Sequence, residues 1–163
     1  ACGDEQKRCR THEGGDHAVK RIICIGNRYV SEDSAGPAVY DQLMRQPVPV
    51  DVEVIDGGLA GIDLLRFFEG TSRVVFVDRV YGFEDDRDLV VLTAQEIASM
   101  ADCRYGHSAG LTYLLRVLPE VCEGEPPDIT LVGVEGGLRP EVIEKAALLA
   151  LDIAAGDCAA GAQ

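Results

Sequence analysis

The sequence lacks a hydrophobic run long enough to span a lipid bilayer, although 47% of its 163 residues are hydrophobic. It also has few cations, with 15 Lys and Arg against 28 Asp and Glu, and a formal net charge of -13. Binding to nucleic acid or to an anionic membrane surface depends on clustered Lys and Arg. The negative charge therefore argues against both kinds of partner and is compatible with binding of a metal cation. The hydrophobic content without a membrane-spanning run leads us to expect a soluble globular protein.

Cysteine motifs and a secretory signal are also missing. The six cysteines form no Cys-x-x-Cys pair, and no charged-then-apolar segment opens the sequence. A reduced, cytoplasmic setting is therefore expected. Residues 1–19 are polar and without periodicity, which predicts a flexible leader, and residues 20–163 have the length of one domain.

Common nucleotide-binding motifs are absent as well. The sequence contains no G-x-G-x-x-G and no G-x-x-x-x-G-K-[ST], which argues against dinucleotide and NTP binding. The pattern G-x-S-x-G occurs once, at residues 106–110, but Ser108 is adjacent to His107 in sequence, which is too local to make a catalytic triad by itself, so a serine hydrolase of the α/β-hydrolase type is disfavoured. A cysteine nucleophile is disfavoured too, because no cysteine has a supporting motif.

The chain after residue 19 alternates apolar, strand-like runs with helical patterns. We predict strands at 21–25, 50–55, 73–78, 89–93 and 129–134, and helices at 37–45, 62–68, 95–100, 109–118 and 140–155. This alternation is typical of an α/β fold with a mostly parallel sheet covered by helices on both faces. Because no helix separates 73–78 from 89–93, the strand at 89–93 is expected to be antiparallel or to lie at an edge.

Polar residues stand at the ends of the predicted strands, where ligands collect in parallel α/β folds. Asp78 directly follows an apolar run, and a buried carboxylate is costly unless a cation or a donor meets it. Alternatively, Asp78 caps a loop or pairs with Arg79 or Arg104. Asp33 is open to a structural interpretation too, because an acidic residue before a helix commonly caps it.

One histidine stands among these groups. His107 is the only histidine after residue 19, and it precedes a predicted helix that it could also simply cap. Two carboxylates and one imidazole suit a divalent transition metal ion and leave coordination positions open. The Asp56-Gly57-Gly58 segment could contact a bound peptide backbone or only form a turn.

Five segments, in order along the chain, resemble the motifs of the hydrogenase maturation endopeptidases. The segments are Gly26-Asn27 followed by Asp33 and Gly36, the run from Asp56 to Gly61, the apolar strand ending in Asp78, the run from Gly106 to Leu111, and Leu131 to Glu135. The resemblance covers roughly residues 21–156.

This resemblance implies a three-layer α/β/α sandwich with a mostly parallel five-stranded sheet. It implies an endopeptidase that removes the C-terminal extension of a nickel–iron hydrogenase large-subunit precursor after nickel insertion. Asp33, Asp78 and His107 would be the catalytic, nickel-binding residues, and the nickel would come with the substrate. Asn27, Asp56, Gly57 and Gly58 would contact the substrate.

Two other functions stay open beside this one. The chain could be a general metal-dependent peptidase of the same fold, or a non-catalytic, nickel-binding or chaperone-like partner of the precursor. A monomer is expected, because the sequence shows no heptad pattern.

Overall fold

Five strands alternate with helices in the part of the chain that the computed structural model describes, residues 18–59, 61–83, 87–99 and 109–156. The strands are β1 (Val19–Ile25), β2 (Val52–Gly58), β3 (Thr71–Arg79), β4 (Leu89–Thr93) and β5 (Asp128–Val134). The α-helices are α1 (Ala35–Leu43), α2 (Ala94–Ser99), α3 (Ala109–Val121) and α4 (Pro140–Ala155), and short 3-10 helices lie at Ser31–Asp33 and Ile62–Phe67.

The strands form one sheet in the order β2-β1-β3-β5-β4. The β1–β2, β1–β3 and β3–β5 pairs are parallel, and only β4 runs antiparallel to its neighbour β5. The prediction of a mostly parallel sheet is confirmed, and β4, which was expected to be antiparallel or to lie at an edge, is both. β2 and β3 lie on opposite sides of β1, so the connections after β1 and β2 lead to opposite sides of the sheet. The boundary between β1 and β3 is therefore a topological switch point, where parallel α/β folds bind ligands.

Helices cover both faces of this sheet. On β1, Ile22 and Cys24 pack against α1 and α4, whereas Ile23 and Ile25 face the 3-10 helix at Ile62–Phe67 together with α2 and α3. The alternation follows from the two-residue period of a strand. The result is the expected three-layer α/β/α sandwich, with one apolar core on each side of the sheet.

The helices agree with the predicted ones except in their bounds and, at one place, their type. α1 begins at Ala35, two residues before the predicted start at Pro37. The first turn of a helix tolerates proline, which has no backbone N–H, because the N–H groups of that turn have no acceptor within the helix. The predicted helix at 62–68 is a 3-10 helix, and α3 continues through Pro119 to Val121. None of the described helices combines the length and the hydropathy needed to cross a membrane.

The end of β2 corrects a prediction. Asp56, Gly57 and Gly58 are not a turn after the strand; they are its last three residues. The pairing with β1 skips Gly57, so the strand is irregular at this point, and the Gly26 N–H donates to the Gly58 carbonyl (3.0 Å). Gly58 has a φ of 54°, which a residue with a Cβ adopts only at a cost. The two glycines therefore shape a bulged strand end.

Candidate functional site

The loop after β1 depends on two close backbone approaches. Gly26 has a φ of 147°, and a Cβ on this residue would overlap the Asp33 carbonyl oxygen. A Cβ on Gly36 would overlap the Ile25 carbonyl oxygen, because the first turn of α1 lies directly against the end of β1. Both glycines of the first motif are thus required by packing, and they fold the loop back so that Asp33 lies at the end of the sheet.

Asp33 is buried, with 3% of its surface exposed, whereas the adjacent Glu32 is exposed. The Asn27 N–H donates to Asp33 Oδ2 (3.0 Å) and to the Asp33 carbonyl (2.9 Å). No described residue donates a hydrogen bond to Asp33 Oδ1. One carboxylate oxygen is therefore held by the loop.

The helix-capping interpretation of Asp33 is wrong. The N-terminus of α1 receives no side-chain cap, because the Asp33 carboxylate turns back to Asn27. The Ser34 hydroxyl likewise donates to the Ser31 carbonyl (3.0 Å) instead of accepting from the helix. A buried carboxylate that does not stabilise its own helix needs another explanation for its position.

Asp78 is more deeply buried, with 1% of its surface exposed, and is the second-last residue of β3. Strand alternation puts it on the same face as Phe76 and Val80, which belong to the core beneath α2 and α3. Its Oδ1 accepts the backbone N–H of Arg79 (2.7 Å). The Arg79 guanidinium extends to the Gly136 carbonyl, and the alternative partner Arg104 lies outside the described residues.

Contacts between loops bring four of the five motifs to one edge of the sheet. The Tyr81 hydroxyl, just after β3, donates to the carbonyl of Glu32 in the loop after β1 (2.8 Å). A Cβ on Gly110, in the first turn of α3, would lie 3.4 Å from the Gly61 Cα, so the segment after β2 meets the start of α3. These contacts bring the segments that carry the motifs together at the carboxyl ends of the strands.

His107, the third predicted ligand, lies outside the described residues. Within the described ranges, no group of three His, Cys, Asp or Glu side chains could hold a metal ion. In sequence, His107 is two positions before Ala109, the first residue of α3, and three positions before Gly110.

The predicted substrate-binding residues have visible local partners. Asn27 Oδ1 accepts the Tyr29 N–H (3.0 Å), and Asp56 Oδ1 accepts the Gly58 N–H (3.2 Å). Gly57 is buried, and a Cβ there would lie 2.9 Å from Ile23 Cγ2. These contacts give each residue a role in shaping the strand ends, next to any role in binding a peptide.

Arg28 is a contributor that the sequence did not single out. Its guanidinium donates to Asp41 of α1 (2.9 Å) and reaches Asp56 of β2 (3.5 Å). The hydrogen bond with Asp41 raises the pKa of Arg28, and the same bond lowers the pKa of Asp41. Arg28 thereby ties the loop after β1 to a helix and to the neighbouring strand, although such exposed pairs stabilise a fold little.

Cys24 does not have the properties of a nucleophile. It is fully buried in β1, and burial raises the pKa of its thiol far above the usual range, with a further contribution from the negative charge of Asp56. The thiolate is the reactive form of cysteine, so Cys24 is chemically inert in the folded protein.

We therefore expect Cys24 to stay unmodified when the folded protein is treated with iodoacetamide at pH 8, and to react fully after denaturation. Peptide mapping by mass spectrometry measures this for each cysteine, and the half-buried Cys122 serves as the more accessible internal reference. Rapid labelling of Cys24 in the folded state would contradict its assignment as a core residue.

Comparisons with known proteins point in one direction. The family model for HycI, described as hydrogenase maturation protease, matches residues 37–152, a range that includes Asp78 and His107. The hydrogenase 2 maturation protease of Escherichia coli K12 is 26% identical over 116 residues, which are 69% of this chain and 70% of that protein.

Solved structures agree with this match. The hydrogenase maturating endopeptidase HybD from E. coli has a TM-score of 0.69 at 25% identity, covering 85% of this chain and 93% of that one. The [NiFe] hydrogenase maturation protease HybD from Thermococcus kodakarensis has a TM-score of 0.61 at 19% identity, covering 85% of this chain and 98% of that one, which is a likeness in fold.

Proposed function

Because the chain belongs to the hydrogenase maturation protease family, we propose that it is an endopeptidase acting on a nickel–iron hydrogenase large-subunit precursor. In this proposal it removes the C-terminal extension after nickel has been inserted, and it recognises the nickel that the precursor carries. The observation that supports the proposal most is the pair of buried carboxylates, Asp33 and Asp78, at neighbouring strand ends.

Burial makes these carboxylates good candidates for a cation. A buried carboxylate is stable only when donors or a cation compensate its charge, and each of these two accepts a hydrogen bond from a backbone N–H. Such bonds fix the orientation of the carboxyl group. Since hard and borderline divalent ions accept carboxylate oxygens as ligands, Asp33 and Asp78 fit two positions around a nickel ion.

His107 completes the proposed donor set with an imidazole nitrogen. Three protein ligands leave further positions to the groups with which the precursor itself holds its nickel. A divalent ion held next to a scissile peptide supplies Lewis-acid chemistry. The role of Asp33, Asp78 and His107 is to dock the metal-bearing substrate in one orientation, so that cleavage depends on nickel insertion.

The surface around the site also supports a protein substrate. Large hydrophobic side chains are exposed in the segments that follow β1 and β2. They are Tyr29, Val30, Leu59 and Ile62. Exposed apolar side chains grouped around a site are typical of surfaces that bind other proteins.

The proposal predicts that the purified protein shortens a nickel-loaded large-subunit precursor by a single C-terminal peptide and leaves the nickel-free precursor intact. The measurement is the intact mass of the precursor before and after incubation, with the two loading states processed in parallel. Nickel dependence is expected because two of the proposed ligands are negatively charged carboxylates. Without the nickel ion of the precursor, nothing on the substrate would compensate their charge when the complex buries them.

Other outcomes of the same assay point to the other functions. Cleavage of the nickel-free precursor at the same rate would contradict nickel recognition and indicate a general peptidase. Stable binding of the loaded precursor without loss of mass would indicate a non-catalytic partner. Absence of both binding and cleavage would reject the proposal altogether.

A further inference from the structure

We propose that Tyr81 is a positioning residue. It fixes the distance between Asp33, in the segment after β1, and Asp78, at the end of β3. This inference rests on the proposed function, in which the two carboxylates bind one nickel ion. Tyr81 belongs to the segment directly after β3, and its hydroxyl donates to the carbonyl of Glu32, the residue next to Asp33 (2.8 Å).

The sheet by itself does not set the spacing of the two carboxylates. The parallel pairing of β1 with β3 ends at Cys24 and Val77, so Asp78 is one residue beyond the last pair. Asp33 is eight residues beyond the end of β1 and lies in a 3-10 helix of three residues. Its position relative to β3 therefore depends on the packing of α1 against β1 and on contacts between the two segments, and the Tyr81 hydroxyl makes such a contact.

The Tyr81 ring is itself held in place. The Arg79 guanidinium lies over the ring, 5.1 Å from its centroid, and donates a hydrogen bond to the Gly136 carbonyl after β5. The backbone at this point is fixed too, because the Val80 N–H donates to the Val134 carbonyl (3.1 Å). A continuous series of contacts thus leads from the end of β5 through Arg79 and Tyr81 to the loop that carries Asp33.

The other end of the series is equally well defined. The Asp33 N–H donates to the Val30 carbonyl (2.9 Å), and the Asp33 carboxylate is bound by Asn27. These bonds tie Asp33 to both Asn27 and Val30, so the hydrogen bond from Tyr81 to the Glu32 carbonyl also restrains the adjacent Asp33 carboxylate. Small displacements matter at such a site, because a metal ion tolerates ligand-distance errors of only about 0.2 Å.

Tyr81→Phe tests this role with the least disturbance, because phenylalanine keeps the ring beneath Arg79 and removes only the hydroxyl. We expect kcat for the nickel-loaded precursor to fall about three- to tenfold, the loss typical of one hydrogen bond, while KM and the melting temperature stay close to those of the parent protein. The matched control is Tyr113→Phe, since Tyr113 is an exposed tyrosine on α3, and this variant is expected to retain the parental kcat.

A direct role of Tyr81 in substrate contact would give a different kinetic result. Tyr81 is 39% exposed, so a side chain that touched the precursor would raise KM when its hydroxyl is removed. A rise in KM with unchanged kcat would therefore overturn the positioning role, and so would parental kinetics.

A second measurement tests the positioning role without using activity. Hydrogen–deuterium exchange of the peptide covering residues 27–33 is expected to become about three- to tenfold faster in Tyr81→Phe and to stay unchanged in Tyr113→Phe. Unchanged exchange in Tyr81→Phe would reject the inference even if the protein cleaves its substrate. Faster exchange in a protein that cleaves no precursor would support the inference about geometry and reject the proposed function.

Discussion

Replacing Asp78 with asparagine is expected to lower kcat/KM for the nickel-loaded precursor by more than about 100-fold. Residues that merely orient the ligands of a metal ion cost about 10- to 100-fold when they are changed, so the loss of a ligand's charge should cost more. The amide has nearly the shape of the carboxyl group and still offers an oxygen to the Arg79 N–H, which contacts Asp78 at 2.7 Å. The measurement is the rate of precursor shortening by mass spectrometry, combined with a thermal melt.

The control for this variant is Asp128→Asn. Asp128 begins β5 at the opposite edge of the sheet, and its exposed carboxylate pairs with Arg73 (3.2 Å). An exposed ion pair contributes at most about 1 kcal/mol, so this variant should cleave at the parental rate and melt close to the parent. If Asp78→Asn cleaved as fast as Asp128→Asn, Asp78 would be a structural residue and the proposed site would be wrong.

The sheet was predictable from sequence because local pattern and tertiary environment agree in it. The apolar run before Asp78 is buried from Val74 to Val77, as expected for an interior parallel strand. The antiparallel direction of β4 followed from the absence of a helix before it. Strand order was not predicted, since it depends on contacts between segments that are far apart in sequence.

The bulged end of β2 shows where local reasoning fails. Two adjacent glycines after an alternating run usually indicate a turn. Here a Cβ on Gly57 would lie too close to the Ile23 side chain of the neighbouring strand β1, and Gly58 is paired with Ile25 of the same strand. The requirement for glycine comes from β1, which the sequence of β2 does not reveal.

The sequence predicted that Asp33 and Asp78 follow strand ends, but it did not predict the contacts that hold them. Asp33 and Glu32 are equivalent in the local sequence, and the structure separates them because only Asp33 is buried and held by Asn27. Tyr81 and Arg28 were missed because their partners, Glu32 and Asp41, are 49 and 13 residues away. No periodicity or motif marks such long-range hydrogen bonds.

Gly36→Ala is expected to destabilise the protein by about 3 kcal/mol, which corresponds to a fall in melting temperature of roughly 6 to 12 °C for a chain of this size. Gly36 lies in α1, where alanine would ordinarily stabilise a helix by about 1 kcal/mol. The steric effect should dominate, because the new Cβ would lie 2.6 Å from the Ile25 carbonyl carbon and 2.7 Å from its nitrogen. Both are backbone atoms of a buried strand and cannot rotate away. Differential scanning calorimetry gives the change directly.

The sign of this effect separates a packing requirement from a general property of helical glycines. Gly137→Ala is the control, because a Cβ there would meet only the Arg139 Cγ, at 3.9 Å, and its free energy of unfolding should change by less than about 0.5 kcal/mol. If Gly36→Ala melted at or above the parental temperature, the contact between α1 and the end of β1 would be looser than described. The fixed position of the Asp33 loop depends on that contact, so a destabilised Gly36→Ala variant should also lose processing activity, even well below its melting temperature.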